Sequence, residues 1–189
     1  MKTPIEMLKD EHRVIERALC ALDGISGRLE TGGEVPPKAL EELTDFVSMF
    51  ADRFHHAKEE AHLFPALEQH GVPREGGPIG VMLNEHEAGR EMAAALRLAS
   101  EAYGKGDPNA RESFAETGRL FSELLRSHIQ KEDHVLFMIA NSVLDDNALA
   151  LVSEGFDVAQ AEFDGGFRAR YEEVASRLEK EWGGGNDER

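Results

Sequence analysis

At 189 residues the chain is long enough for one domain with a sizeable core, and 41% apolar with 31% charged residues suits a globular protein. A net charge of −16 works against binding nucleic acid or anionic lipid, and a single cysteine, Cys20, rules out an internal disulfide and fits a reducing compartment. No apolar run approaches bilayer length and residues Met1 to Asp10 hold no apolar leader, so the expectation is a cytoplasmic protein with neither membrane nor nucleic-acid partners.

The dominant period is helical. Ile5, Leu8, His12, Ile15, Leu19, Leu22 and Leu29 recur at spacings of three and four, which predicts a first helix. It starts at Thr3-Pro4, with Pro in the first turn, and ends at Thr31-Gly32-Gly33. A second helix begins near Pro36-Pro37 and carries Phe46, Val47, Phe50, Phe54 and Leu63, and Pro65 should kink or end it because it has no N–H to donate. After the turn residues His70 to Pro78, a third helix runs from Ile79 through Met82, His86, Gly89, Ala93 and Leu96 to Tyr103. Gly104 to Pro108 forms a turn, and a fourth helix from about Pro108 to Asn141 lines up Phe114, Phe121, Leu125, His128, Glu132 and Val135. Residues Leu144 to Glu181 predict two shorter helices broken at Asp164-Gly165-Gly166, with an apolar face that includes Phe163, Phe167, Tyr171 and Leu178. Long helices with short connections imply antiparallel neighbours, so the fold class is all-α, an up-down-up-down four-helix bundle with extra C-terminal helices. The expected division is 1–141 for the bundle, 142–182 for a helical extension docked on it, and 183–189 for a disordered tail.

One phrase occurs twice. His55-x-x-Lys58-Glu59-Glu60-x-x-Leu63-Phe64 matches His128-x-x-Lys131-Glu132-Asp133-x-x-Leu136-Phe137, and each copy is preceded by a Glu-His pair, Glu11-His12 and Glu85-His86. In an antiparallel bundle a residue early in one helix lies level with residues late in the next. His12, His55, Glu59, His86, His128 and Glu132 therefore fall at one level near one end, each on its helix's apolar stripe, with each His-Glu pair on one face. Burying six such groups together without partners would cost several kcal/mol or more. A pair of metal ions compensates all six, and a mixed imidazole and carboxylate set suits iron, manganese or zinc. His56 also stands four residues before a Glu. Its counterpart in the second copy is Ile129, which cannot ligate, so His55 is taken as the ligand and His56 as an outer or surface group; Glu60 and Asp133 are placed outside the ligand set.

These motifs resemble the hemerythrin HHE cation-binding family over roughly Met1 to Ala140. The resemblance implies a four-helix bundle with a non-haem di-iron centre, two His on each iron. Glu59 and Glu132 would bridge the two ions together with an oxo or hydroxo group, and open positions would bind O2, NO or peroxide. Where oxygen-carrying members have a second His one turn after the third-helix ligand, this chain has Arg90. Where they have an Asp five residues after the fourth-helix His, Glu132 stands four after. Loss of one His opens a coordination position, which points to redox chemistry, NO binding or iron release rather than simple O2 carriage.

Other residues weigh less. Glu59-x-x-His62 has the form of a ferritin-like ligand pair, but Val135 occupies the matching place in the second copy, which leaves His62 a weak outer candidate. His70 and His134 read as exposed. Gly89 costs up to about 1 kcal/mol in mid-helix relative to Ala and suggests either space for a small ligand or close helix packing. Cys20 reads as a small buried residue, and methionines such as Met82 and Met138 as core filler. The expected function is binding of O2, NO or peroxide at two iron ions, in sensing, scavenging or iron handling. The alternatives are an enzyme reducing NO or peroxide or delivering iron, and a protein binding zinc structurally.

Overall fold

The computed structural model describes residues 2–184; the predicted tail therefore falls largely outside the described residues. Six helices form, and no strand occurs among the described residues. Helix α1 is Pro4–Glu30. Its N-terminus is closed reciprocally: Thr3 Oγ1 accepts from the Glu6 N–H at 3.2 Å, and Glu6 Oε2 accepts from the Thr3 N–H at 2.8 Å. It ends at Thr31, and Gly32 takes the following left-handed position at φ 79°. Helix α2 covers 37–69, α3 is Pro78–Gly104, and α4 covers 110–143. Helices α5 (Asp146–Gln160) and α6 (Phe167–Trp182) complete the chain, and the Asp145 carboxylate caps α5 by accepting from the Ala148 N–H.

Helices α2 and α4 are not regular throughout. Val47–His56 and Glu59–Leu63 in α2, and Glu132–Leu136 in α4, are π-helical, with N–H groups reaching back five residues: Ala57 to the Asp52 carbonyl, Phe64 to that of Glu59, and Phe137 to that of Glu132. Such widened turns gather at functional sites because they shift the register of inward-facing side chains. Pro65 does not end α2, contrary to the expectation that it might. It follows directly on a π-helical stretch and sits in the first turn of Phe64–Gln69, where its missing N–H is tolerated, and the helix runs on to Gln69.

Helix α4 packs against α1 and α3, and α2 packs against α3. Helix α6 packs against both α1 and α2, and Phe167, Tyr171, Ala175 and Leu178 join the core that those helices share. Helix α5 crosses near the far end of α2, where Ala148, Val152 and Phe156 close over Leu63, Phe64 and Leu67. The apolar interior is split in two. One cluster draws on Val14 to Leu29, Leu40 to Phe54, and Phe114 to Ile129; the other draws on Ile5, Leu8, Leu63 to Leu67, Ile79, Met82 and Leu136 to Ala140. Between them lies a layer of buried polar groups. Met138 is not core filler, since it points out of α4 and is 65% exposed, and Cys20 is only half-buried, beside the Arg126 guanidinium.

Candidate metal centre

The polar layer brings His12, His55, Glu59, His86, His128 and Glu132 together, each buried at 1% exposure or less. Two groups of ligand atoms form, each within 4.8 Å of one another: His12, His55, Glu59 and Glu132 in one, His56, Glu59, His86 and His128 in the other. The carboxylates lie between histidines from both halves of the chain. Glu132 Oε2 is 3.2 Å from His12 Nε2 and 3.3 Å from His128 Nε2. Glu59 presents Oε1 to His55 Nε2 at 3.8 Å and Oε2 to His86 Nε2 at 3.7 Å.

The outward faces of four histidines are held by carboxylates. His55 Nδ1 meets Glu11 at 2.9 Å, His128 Nδ1 meets Glu85 at 3.1 Å, His86 Nδ1 meets Glu60 at 2.6 Å, and His12 Nδ1 meets Asp133 at 2.8 Å. Each carboxylate is thus placed to accept a hydrogen bond from Nδ1–H and turns Nε2 toward the centre, which is how protein-bound metals have their histidines oriented. The lysine of each motif has the same use: Lys58 donates to Glu11, and Lys131 to Glu85. Arg90 donates to Asp52 at 2.9 Å, to Glu60 at 2.7 Å and to Glu87 at 2.7 Å, and so fixes the carboxylate behind His86.

The electrostatics of the metal-free layer are those of a site built for cations. Burial, then the neighbouring Glu132 charge, pushes the Glu59 carboxyl well above its usual range. Burial acts the same way on Glu132, but His128 and His12 overcome it and hold that carboxylate well below its usual range. Burial also opposes charge on His128, yet the Glu132 and Glu85 carboxylates raise it to about 9. Burial lowers His55 and His56 well below the ordinary imidazole range. Protons therefore occupy part of the layer, and still the His12 and His55 Nε2 atoms and all four oxygens of Glu59 and Glu132 lack a well-formed hydrogen bond. Buried polar atoms are rarely left so, and two cations with imidazole and carboxylate ligands would satisfy them together.

His56 is buried, which overturns the surface alternative of its expected place. It is 6% exposed, and its ring stacks on His86 at 3.9 Å between centroids. The π-helical Val47–His56 is the reason, because the wider turn splays consecutive residues less and lets His55 and His56 both face inward. Glu60 and Asp133 do lie behind histidines. His62 turns toward α5, edge-on to Phe156 at 6.2 Å, rather than toward the polar layer. His70 and His134 are exposed. Gly89 borders a cavity of about 330 Å³ between α2 and α3, whose lining includes His56, Glu85, His86, Arg90 and Ala93. A Cβ at Gly89 would meet nothing within 4 Å, so the glycine marks space and not close helix packing. Sequence reasoning also gave no role to Glu11, Lys58, Glu85 and Lys131, although their repetition was the available signal.

No described helix is long and apolar enough to cross a membrane. No solved structure matches the chain. Uncharacterized proteins of Mycobacterium tuberculosis, Rv1995 and MT2051, and of Mycobacterium bovis, Mb2018, are each 28% identical to it over 183 residues, covering 96% of this chain and 71% of theirs. The model of the hemerythrin HHE cation binding domain matches residues 3–140, the four long helices and the whole polar layer, and the chain belongs to that family.

Proposed function

We propose that this protein holds two iron ions on His12, His55, Glu59, His86, His128 and Glu132, and that it binds O2 or a related small ligand, NO or peroxide, at them. The observation that carries the reading is the position of Glu59 and Glu132, each set between a histidine nitrogen of one half of the chain and one of the other. A carboxylate so placed has a lone pair for each of two cations. Nitrogen and oxygen donors without clustered thiolate suit iron. Two ferrous ions held here would supply the electrons by which a small oxidant is bound or reduced. The protein's own part is to keep four imidazoles in the Nε2-inward orientation, through Glu11, Asp133, Glu60 and Glu85, with the layer set between two apolar clusters.

Metal analysis of protein from iron-supplemented cells tests the reading, followed by visible spectra as O2, NO or peroxide is added to the reduced protein. Two irons per chain and a reversible charge-transfer band are the expected result. Consumption of NO or peroxide over many turnovers would make the protein an enzyme at the same centre. A stoichiometry well below two, or zinc in place of iron, would sink the proposal.

A further inference from the structure

The cavity between α2 and α3 is far larger than a diatomic gas needs. It holds about 330 Å³, within the roughly 300–1,000 Å³ of small-molecule pockets, whereas a molecule the size of water takes about 30 Å³. The space follows from residue choice on α3. His86, Gly89, Arg90, Ala93, Ala94 and Arg97 recur at spacings of three and four and line it together, and three of these six carry no more than a methyl group. From the buried His86 to the exposed Arg97 this face extends about 16 Å along the helix. Val47, Ala51, Phe121 and Leu125 supply the rest of an apolar wall. The arginines bring no free charge, since Arg90 is paired with Asp52, Glu60 and Glu87, and Arg97 with Glu101. Asp52 and Glu85 add carboxylates to the lining, so an anionic occupant would meet repulsion and no spare cation. The His56 ring borders the same space. It is only 6% exposed, neither of its nitrogens has a hydrogen-bond partner, and the Asp52 carboxylate stands off its Nδ1 at 3.7 Å. Buried polar atoms are rarely left so, and an occupant that carries oxygen would offer a partner.

We infer that this cavity receives the apolar body of an organic hydroperoxide, with its peroxide head at the His86 end, so that the peroxide taken at the centre is one with a carbon tail. The inference rests on the two-iron reading. Of the small ligands named for the centre, only peroxide has a form with a body to fill the space, and a hydroperoxide is uncharged at neutral pH, as this lining requires. The step balances. The O–O bond breaks, the two oxygens leave as an alcohol and as water, two protons come from solvent, and the two electrons come from two ferrous ions. The neutral alcohol then lies in the same apolar wall that held the peroxide, and it leaves by the exposed end at Ala94 and Arg97.

The test has one arm that needs no turnover. Cumyl alcohol, the alcohol left when cumene hydroperoxide is reduced, is titrated into the full-length protein as purified and followed by equilibrium dialysis. Saturable binding is expected. Gly89→Leu and Ala93→Leu put side chains into the space and, with far-UV circular dichroism unchanged, should each weaken it at least about tenfold, the scale on which a methylene in an apolar pocket discriminates. In the second arm the protein is loaded anaerobically with ferrous iron and its oxidation is followed in stopped-flow spectra. Cumene hydroperoxide should outrun hydrogen peroxide at equal concentration, relative to the same ratio for ferrous ion free in buffer, and the filling variants should remove that preference. No saturable binding of the alcohol, or binding unaltered in a folded variant, would overturn the inference and leave the di-iron reading standing. A wild type without preference for the organic peroxide would overturn it without any variant. Fewer than two irons per chain after loading would overturn the two-iron reading and the reduction with it, whatever the alcohol does.

Discussion

The two halves of the bundle carry the same motif and treat it differently. In each, the Glu of a Glu-His pair and the Lys of the repeat hold the motif's first histidine: Glu11 and Lys58 hold His55, Glu85 and Lys131 hold His128. The carboxylate after the motif's Glu then crosses to the other half, Glu60 to His86 and Asp133 to His12. The pattern is closed under exchange of the halves, as a centre with two similar metal positions requires. The surroundings are not. Around the first copy, α5 and α6 cover the bundle, so that Lys58 is 1% exposed, lies 4.1 Å over the Phe54 ring and has Arg168 approaching Glu11 at 4.0 Å. Lys131 in the second copy is 40% exposed. Beside that copy a cavity opens at Gly89, where the first copy has the buried Ile15. The repeat fixes the donors; the extension and the cavity decide which side is sealed and which has space.

The comparison breaks outright if the two carboxylates at the middle of the layer, Glu59 and Glu132, are not equivalent toward the two proposed ions. Glu59→Gln and Glu132→Gln should each impair both metal positions, because each carboxylate faces a histidine of either half. Each should lose more than the roughly 10–100-fold in affinity that removal of an outer carboxylate costs. Iron per chain after dialysis against a weak chelator measures it. A variant that kept one ion at full affinity would show that its carboxylate serves one ion only.

The lysines give the next largest contrast. Lys58→Met leaves the fully buried Glu11 without its principal cation and should destabilise the metal-free protein by about 3–5 kcal/mol, the cost of breaking a buried pair. The effect should fall toward the lower figure, because burial already raises Glu11 and lets it take a proton. Lys131→Met removes a partly exposed pair and should cost within about 1 kcal/mol. Urea denaturation of both variants decides it, and equal losses would mean that α5 and α6 do not seal the first copy.

How much of this was legible depended on the period being read. The spacing of apolar residues in regular helices was enough to bring His12, His86 and His128 to one level, since those positions obey an α-helical count, and His55, Glu59 and Glu132 reach the same level from π-helical stretches. It failed at His56. A π-helical stretch leaves no mark in a count of threes and fours, and comparing His56 with Ile129 assumed that both copies share one backbone. Glu11, Lys58, Glu85 and Lys131 were visible as repeated letters, but nothing along the chain says that a glutamate of α1 reaches a lysine and a histidine of α2. Packing across helices assigns that role. That Pro65 would not end the helix was hidden in the same way: the turn before it is wider than the one assumed.

Titration of the metal-free protein separates the halves more gently. His55 and His128 hold the same place in the motif, yet burial keeps His55 neutral while Glu132 and Glu85 raise His128 to about 9. Nuclear magnetic resonance of the imidazole nitrogens should find His128 protonated up to about pH 9 and His55 neutral from mildly acid pH upward. The sign for metal binding follows. Below about pH 9 an incoming cation must displace the His128 proton, so ferrous iron added to weakly buffered protein at neutral pH should acidify the solution, and affinity should fall as pH falls. Identical titration of the two histidines would remove the electrostatic difference between the copies.

The smallest effect probes the space itself. Glycine in mid-helix costs up to about 1 kcal/mol relative to alanine, and a Cβ at Gly89 meets nothing within 4 Å. Gly89→Ala should therefore stabilise the metal-free protein by up to about 1 kcal/mol in urea denaturation without changing its iron content. If the cavity is only a gap in packing, filling it is all gain and ligand binding at the iron is untouched. If the space beside His56 and His86 serves a small ligand of the proposed iron centre, the added methyl group should slow NO binding to the iron-loaded, reduced protein in stopped-flow spectra while the fold grows more stable. A stability gain bought with slower binding is the expected signature of a glycine kept for room, and it should have no counterpart at Ile15, where the first copy has already filled the equivalent place.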